Sequence, residues 1–273
     1  MSNHYEKVAT TMGNHDHHDH DYEQLFDAAW DKSQSNVIIK SLNSDKKISQ
    51  IIGNISGFKE AFSHKLDVLD CSDGRVRSGD KMGLAGVGIL LDDKERQVFK
   101  NTLKQYREEL GRSITITGHE SCGAAGMAYP GPDSDHHGYK NAKEIAEETG
   151  NNYREVDHSE FISPIHNERA LVIDATGRFN SSNWSDFPPH FISSAPFFKL
   201  GDGYLKKEVP ALSGIALSDH GLGERFTPEN PFYVIISANN EEELKRLSAL
   251  AQESLKDYGD RMKIDGFIAP AKE

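Results

Sequence analysis

Cysteine is nearly absent: Cys71 and Cys122 are the only two in 273 residues. A small secreted scaffold held by disulfides is shorter and far richer in cysteine, so that class is excluded. A chain of this length buries a core large enough to stand without such staples. Long hydrophobic runs are missing too. The most apolar stretch, residues 84–91 (LAGVGILL), falls far short of the roughly 20 residues that a spanning helix needs. The first residues carry no apolar segment of the signal-peptide kind, so the expected location is cytoplasmic. Positive charge is scarce: 31 Lys and Arg stand against 43 Asp and Glu, a formal net charge of −12. Such a surface repels phosphate backbones and anionic lipid, so neither nucleic acid nor membrane is expected as a partner. A small neutral substrate does not feel that field. No internal repeat is visible in the sequence.

What is present is alternation of strand-like and helix-like segments. Residues 1–22 read as a disordered polar tail around the low-complexity tract His15-Asp16-His17-His18-Asp19-His20-Asp21, a composition that binds metal loosely. Residues 22–30 and 45–52 have helical spacing. Strands are predicted at 65–70, 83–91, 113–117, 169–174, 231–237 and 264–269. Helices are predicted at 92–110, 141–149 and 241–258. The helix over 92–110 carries Val98, Phe99, Leu103, Tyr106 and Leu110 on one stripe. Residues 178–231, rich in Gly, Pro, Ser and Asn, read as a loop-rich insertion. The strands are apolar without alternation, as in a sheet covered on both faces. The expected fold is α/β: one domain over residues 23–273, with a mostly parallel β-sheet flanked by helices.

Two short segments concentrate reactive residue types: Cys71-Ser72-Asp73-Gly74-Arg75 and Gly118-His119-Glu120-Ser121-Cys122-Gly123. Both directly follow predicted strands, and open parallel sheets bind ligands beyond the carboxyl ends of their strands. In an extended segment Cys71, Asp73 and Arg75 share a face. In a first helical turn His119 and Cys122 share one too. Two thiolates and an imidazole suit Zn2+, and three protein ligands leave a fourth position for water, the pattern of a catalytic zinc. Asp73 either takes that fourth position and closes the site, or pairs with Arg75 and is held as an acceptor for the attacking hydroxide. The N–H of Gly123, at a helix start, is a candidate to bind an anionic oxygen of the substrate. His136, His137, His158 and His166 are candidates to carry a proton.

CSDGR followed by GHESCG resembles the paired signature of the β-class carbonic anhydrases, Cys-x-Asp-x-Arg and His-x-x-Cys. Residues 78–89 (SGDKMGLAGVGI), the connector 92–110 and the strand SITITGH are similar to the family as well, and so is RALVIDATG at 169–177. The resemblance covers about residues 65–177. It implies a β-carbonic-anhydrase-like fold, zinc on Cys71, His119 and Cys122, and Asp73 as a ligand only in a closed state. It also implies catalytic roles for Asp73 and Arg75 and reversible hydration of CO2 to bicarbonate and a proton. The family likeness further suggests a homodimer or a multiple of dimers, with N-terminal helices wrapping the neighbour. Two departures stand out. Gly83-Leu84-Ala85-Gly86 occupies a place where the family often has Arg-Asn-Ala-Gly, and the active-site glutamine has no counterpart. Phe58, Phe62 and Tyr129 are candidates for the aromatic wall. Three other readings remain open at this stage. One is hydrolysis of carbonyl sulfide or carbon disulfide on the same site. Another is a non-catalytic zinc- or bicarbonate-binding homologue, and the last a metal store built on the His/Asp tail.

Overall fold

Short strands pair in parallel throughout the chain, and helices return it from one strand to the next. The computed structural model describes residues 19–52, 56–63, 65–76 and 81–271. Three helices come first: α1 (Asp19–Gln34), α2 (Val37–Asn43) and α3 (Ile48–Ile51). Asn36 starts α2 by accepting hydrogen bonds from the N–H groups of Ile38 and Ile39. α1 begins inside the span read as a tail, and the rest of that tract, residues 1–18, lies outside the described residues.

A first sheet then forms from β1 (Val68–Asp70), β2 (Lys81–Gly83), β3 (Thr115–His119) and β4 (Asn152–Val156), in the order β2-β1-β3-β4. Its connectors are α4 (Asp93–Leu110), the short α5 (Gly123–Ala128) and α6 (Ser134–Thr149). α4 follows the predicted stripe. Asp92 and Glu95 cap it reciprocally, and Gly111 at φ +68° ends it.

A second sheet follows from β5 (Ala170–Asp174), β6 (His190–Ser193), β7 (Phe232–Ala238) and β8 (Met262–Ile268), in the order β6-β5-β7-β8. Its connectors are α7 (Asp202–Leu217) and α8 (Glu241–Leu255). All pairings in both sheets are parallel. The protein is thus α/β with parallel sheets flanked by helices, as expected, but with two four-stranded sheets. The sheets repeat one topology. Each starts on an inner strand, steps out to one edge, and returns through helices to build the other side.

Two expectations are corrected here. Residues 178–231 are rich in loops but are not an insertion, since they contain β6 and α7, half of the second sheet's outward excursion. Pro210 sits inside α7, and the helix presents no strong apolar stripe, which is why its sequence does not read as helix. Residues 83–91 are not a strand. After Gly83 the chain turns, with Gly86 and Val87 both at φ +52°.

The sheets meet edge to edge. Ile192 and Ser194 donate their N–H groups to the carbonyls of Ser72 and Gly83, at 3.1 and 2.7 Å. A Cβ on Gly83 would stand 2.4 Å from the Ile192 carbonyl, and one on Gly74 2.3 Å from that of His190. Only glycine lets the backbones approach this closely. One apolar core runs under both sheets. It includes Leu69, Phe99 and Ile116 from the first half and Ile173, Phe198 and Ile236 from the second. Phe99 and Phe198 meet edge to face at 4.9 Å. Alternate residues of β5 and β7 face a second core, where Ile38, Ile39, Leu42 and Ile48 pack. The N-terminal helices therefore cover the chain's own second sheet.

Candidate metal centre

β1 and β3 are neighbours in the first sheet, and both end at its carboxyl edge. Cys71 follows β1 directly, with its N–H held by Asp70 Oδ1 at 2.7 Å. His119 is the last residue of β3, and Cys122 caps α5. The two residues do not share a first helical turn, as their spacing suggested. Instead Ser121, at φ +51°, turns the chain between strand and helix and brings both side chains to one place. Gly123 is the first residue of α5.

The three donor atoms of Cys71, His119 and Cys122 lie within 4.8 Å of one another, and all three residues are buried. The sulfurs are 3.9 Å apart. His119 Nδ1 lies 2.7 Å from the Glu120 carbonyl. In the neutral imidazole that bond puts the proton on Nδ1 and leaves Nε2 as the lone-pair donor, the orientation metal-ligating histidines adopt. Nε2 is buried and makes no hydrogen bond of good geometry. The group could hold a metal ion.

Charge is already concentrated there. The Cys122 thiol, as hydrogen-bond partner, and His119 hold Cys71 well below the usual thiol range, against the effect of burial. Cys122 is pushed the other way by Cys71 and by burial. Burial pushes the His119 imidazole down, but the Cys71 thiolate outweighs it and raises the group to about 9. The Gly86 N–H donates to Cys71 Sγ at 3.3 Å, which is what the left-handed turn at Gly86 and Val87 achieves. A cavity beside the three residues is lined by Gly86, Val87, Thr117, Gly118 and Gly138. Thr117 Oγ1 in its wall has no hydrogen-bond partner among the described residues.

Asp73 is paired with Arg75. The guanidinium forks onto the carboxylate, Nε at 3.1 Å from Oδ1 and Nη2 at 2.7 Å from Oδ2, and the Arg75 N–H adds a third bond at 2.9 Å. Burial works against charge on Asp73. His166 and Arg75 outweigh it and hold the carboxyl well below the usual carboxylate range. Of the four histidine candidates, His166 lies against this pair. Its Nδ1 is 3.9 Å from Asp73 Oδ1 and 3.2 Å from Glu168 Oε2. His158 instead pairs with Glu120 at the surface, and His136 and His137 stand together beside Tyr129.

The aromatic candidates separate as well. Tyr129 is exposed and stacks on His137. Phe58 and Phe62 are not in the wall of the site, because they pack with Trp184, Phe179 and Phe267 in the core beneath the second sheet. Sequence reading missed Thr117, Glu168 and the Gly86 amide. Of these, Thr117 carried a signal, a polar side chain two residues before His119 on a strand face shared with it.

The second sheet has the same edge, and no such group of cysteine and histidine lies there among the described residues. Its register sets Val172 against Ile235 as that of the first sheet sets Val68 against Thr115. Counting on, Asp70 corresponds to Asp174, Cys71 to Ala175, His119 to Asn239 and Cys122 to Glu242. Asn239 Nδ2 donates to the Ala175 carbonyl at 3.0 Å and to Glu243 Oε2 at 2.9 Å. A hydrogen bond thus links Asn239 to Ala175 where the first sheet sets His119 beside Cys71. No protein-family model matches the chain, and no curated protein or solved structure matches it.

Proposed function

We propose that the chain is a zinc enzyme that reversibly hydrates carbon dioxide to bicarbonate and a proton, as its likeness to β-class carbonic anhydrases implies. The observation that carries this reading is the Asp73–Arg75 fork standing beside a three-donor sulfur and nitrogen group. An oriented, ionised carboxylate beside three protein donors suits a catalytic zinc, whose fourth position is left to water or substrate.

The donor set fits zinc. Two sulfurs at about 2.3 Å from a tetrahedral ion stand about 3.8 Å apart. The sulfurs here are 3.9 Å apart. Cys71, His119 and Cys122 would hold the ion, with the Glu120 carbonyl fixing the imidazole tautomer. When bound, zinc lowers the pKa of water from about 15.7 to about 7 and so supplies hydroxide at neutral pH. The chain's own residues do the rest. Arg75 and the Arg75 N–H hold Asp73 in one orientation, and His166 with Arg75 keeps it ionised. An ionised, fixed carboxylate would accept a hydrogen bond from the O–H of an attacking hydroxide and so leave a lone pair aimed at a neutral molecule. Carbon dioxide reaches the site without opposition from a net charge of −12.

The test is stopped-flow CO2 hydration by protein carrying one zinc per chain, with a parallel assay of sulfide release from carbonyl sulfide. Hydration that is lost on Asp73→Asn supports the reading. Sulfide release without hydration moves the substrate to carbonyl sulfide. No hydration at neutral or alkaline pH, with zinc bound, overturns the proposal.

A further inference from the structure

The second sheet repeats the topology of the first but carries neither thiol nor imidazole at the corresponding positions. One residue connects it to the site. Glu208 lies on α7, the helix between β6 and β7, and is 1 % exposed. Its Oε1 accepts the Ala85 N–H at 2.7 Å and the Ser72 hydroxyl at 3.2 Å, with Tyr204 Oη at 3.4 Å. Its Oε2 accepts the Ser193 hydroxyl from β6 at 2.5 Å. Ser72 is the residue after Cys71. Ala85 is the residue before Gly86, whose N–H donates to Cys71 Sγ. One carboxylate from the second half thus ties together both segments that bracket a donor thiolate of the first.

Packing alone does not call for this. Burying a carboxylate costs several kcal/mol, and a hydrophobic side chain of similar volume fills a core at no such cost. Four donors on four separate segments converge on these two oxygens, one of them next to Cys71 and one next to the Gly86 amide that meets its sulfur. We propose that Glu208 is a positioning residue for the metal centre, fixing Cys71 Sγ through Ser72 and through the Ala85–Gly86 amides. A residue of the second half thereby completes the site of the first. The inference rests on the three-donor group being a metal centre and not on which substrate it serves.

Co2+ titration of the full-length protein tests it, because thiolate-to-cobalt charge-transfer absorption reports the Cys71 geometry directly. In Glu208→Ala the Co2+ affinity falls by roughly tenfold or more, the usual cost of losing a residue that orients a ligand, and the absorption band shifts. Glu208→Gln, which keeps an acceptor for the Ala85 N–H, recovers part of both. Ser72→Ala removes only the hydroxyl link and reports the same effect if Glu208→Ala does not fold. Its expected loss is roughly threefold, the worth of one neutral hydrogen bond. Wild-type affinity and a wild-type band in the folded variants overturn the proposal while leaving the metal centre standing. Failure of the unaltered protein to take up one Co2+ per chain overturns the metal centre and this inference with it.

Discussion

The two halves of this chain share a strand order and differ at the edge where a parallel sheet does its chemistry. β1 and β5 end alike, Val68-Leu69-Asp70 and Val172-Ile173-Asp174, and a Gly-Arg pair follows each. Beyond that the first half gathers two thiols and an imidazole, whereas the second ties Asn239 to Ala175. The difference teaches that the scaffold and the site are set by separate residues. Burial on both faces maintains the sheet, and a handful of side chains past the strand ends decide whether it holds a metal.

The largest contrast expected is in metal content. Cys71→Ala, His119→Ala or Cys122→Ala should drop bound zinc from about one per chain to under roughly a tenth of that, since two protein ligands hold the ion far more weakly than three. Asn239→Ala, at the position corresponding to His119, should leave zinc content unchanged. Mass spectrometry of metal after dialysis measures both, and equal losses would break the comparison.

A smaller contrast lies in the two arginines. Arg75→Ala leaves Asp73 buried without its fork and should cost about 3–5 kcal/mol of stability. Arg178, which follows Gly177 as Arg75 follows Gly74, donates to the Pro270 carbonyl. Arg178→Ala should cost about 1 kcal/mol. Denaturant unfolding of the metal-free proteins compares them, and the comparison fails if Arg178→Ala costs as much.

Glu208 gives a contrast in pH dependence. Burial and the Cys71 charge raise its carboxyl from 4.5 to about 7, against the hydrogen bonds from Ser193, Ala85 and Ser72. The folded chain therefore keeps a proton that the unfolded chain releases at lower pH. That contribution to stability is complete below about 4.5 and is lost as pH rises through about 7, for a total of about 3 kcal/mol. Glu208→Gln removes the slope. Unfolding of both metal-free proteins at several pH values should show wild type losing ground to the variant as pH rises. Parallel curves would mean that Glu208 is ionised throughout.

As small as the Arg178→Ala effect is that expected of Asn239→Ala on stability. Losing its bond to the Ala175 carbonyl should cost about 1 kcal/mol, read from the unfolding midpoint.

The donor group was legible in the sequence because its chemistry lies in residue type and short spacing. Cys71, His119 and Cys122 sit within a residue or a tight turn of their strands. The repeated topology was not legible. It is kept by burial pattern, so β3 (TITGH) and β7 (FYVIISA) have little sequence in common while holding the same place. Glu208 could not be read either, because its partner Ser72 is 136 positions away and α7 carries an internal proline. Phe58 and Phe62 were misassigned to the site for a related reason: aromatic residues suit a site wall and a core equally well, and only packing separates them.

The single core beneath both sheets also has a consequence for how the chain is made. Phe99 and Leu103 find Phe198 only after β6 has been synthesised, and the Cys71 loop meets Glu208 only when α7 follows. Until then the first half leaves the ribosome with its apolar underside bare and its two thiols unsupported. Domains mature in the order in which they emerge, but these halves do not qualify as separate domains. The three-donor group is therefore expected to reach its supported geometry only once the second half has been made.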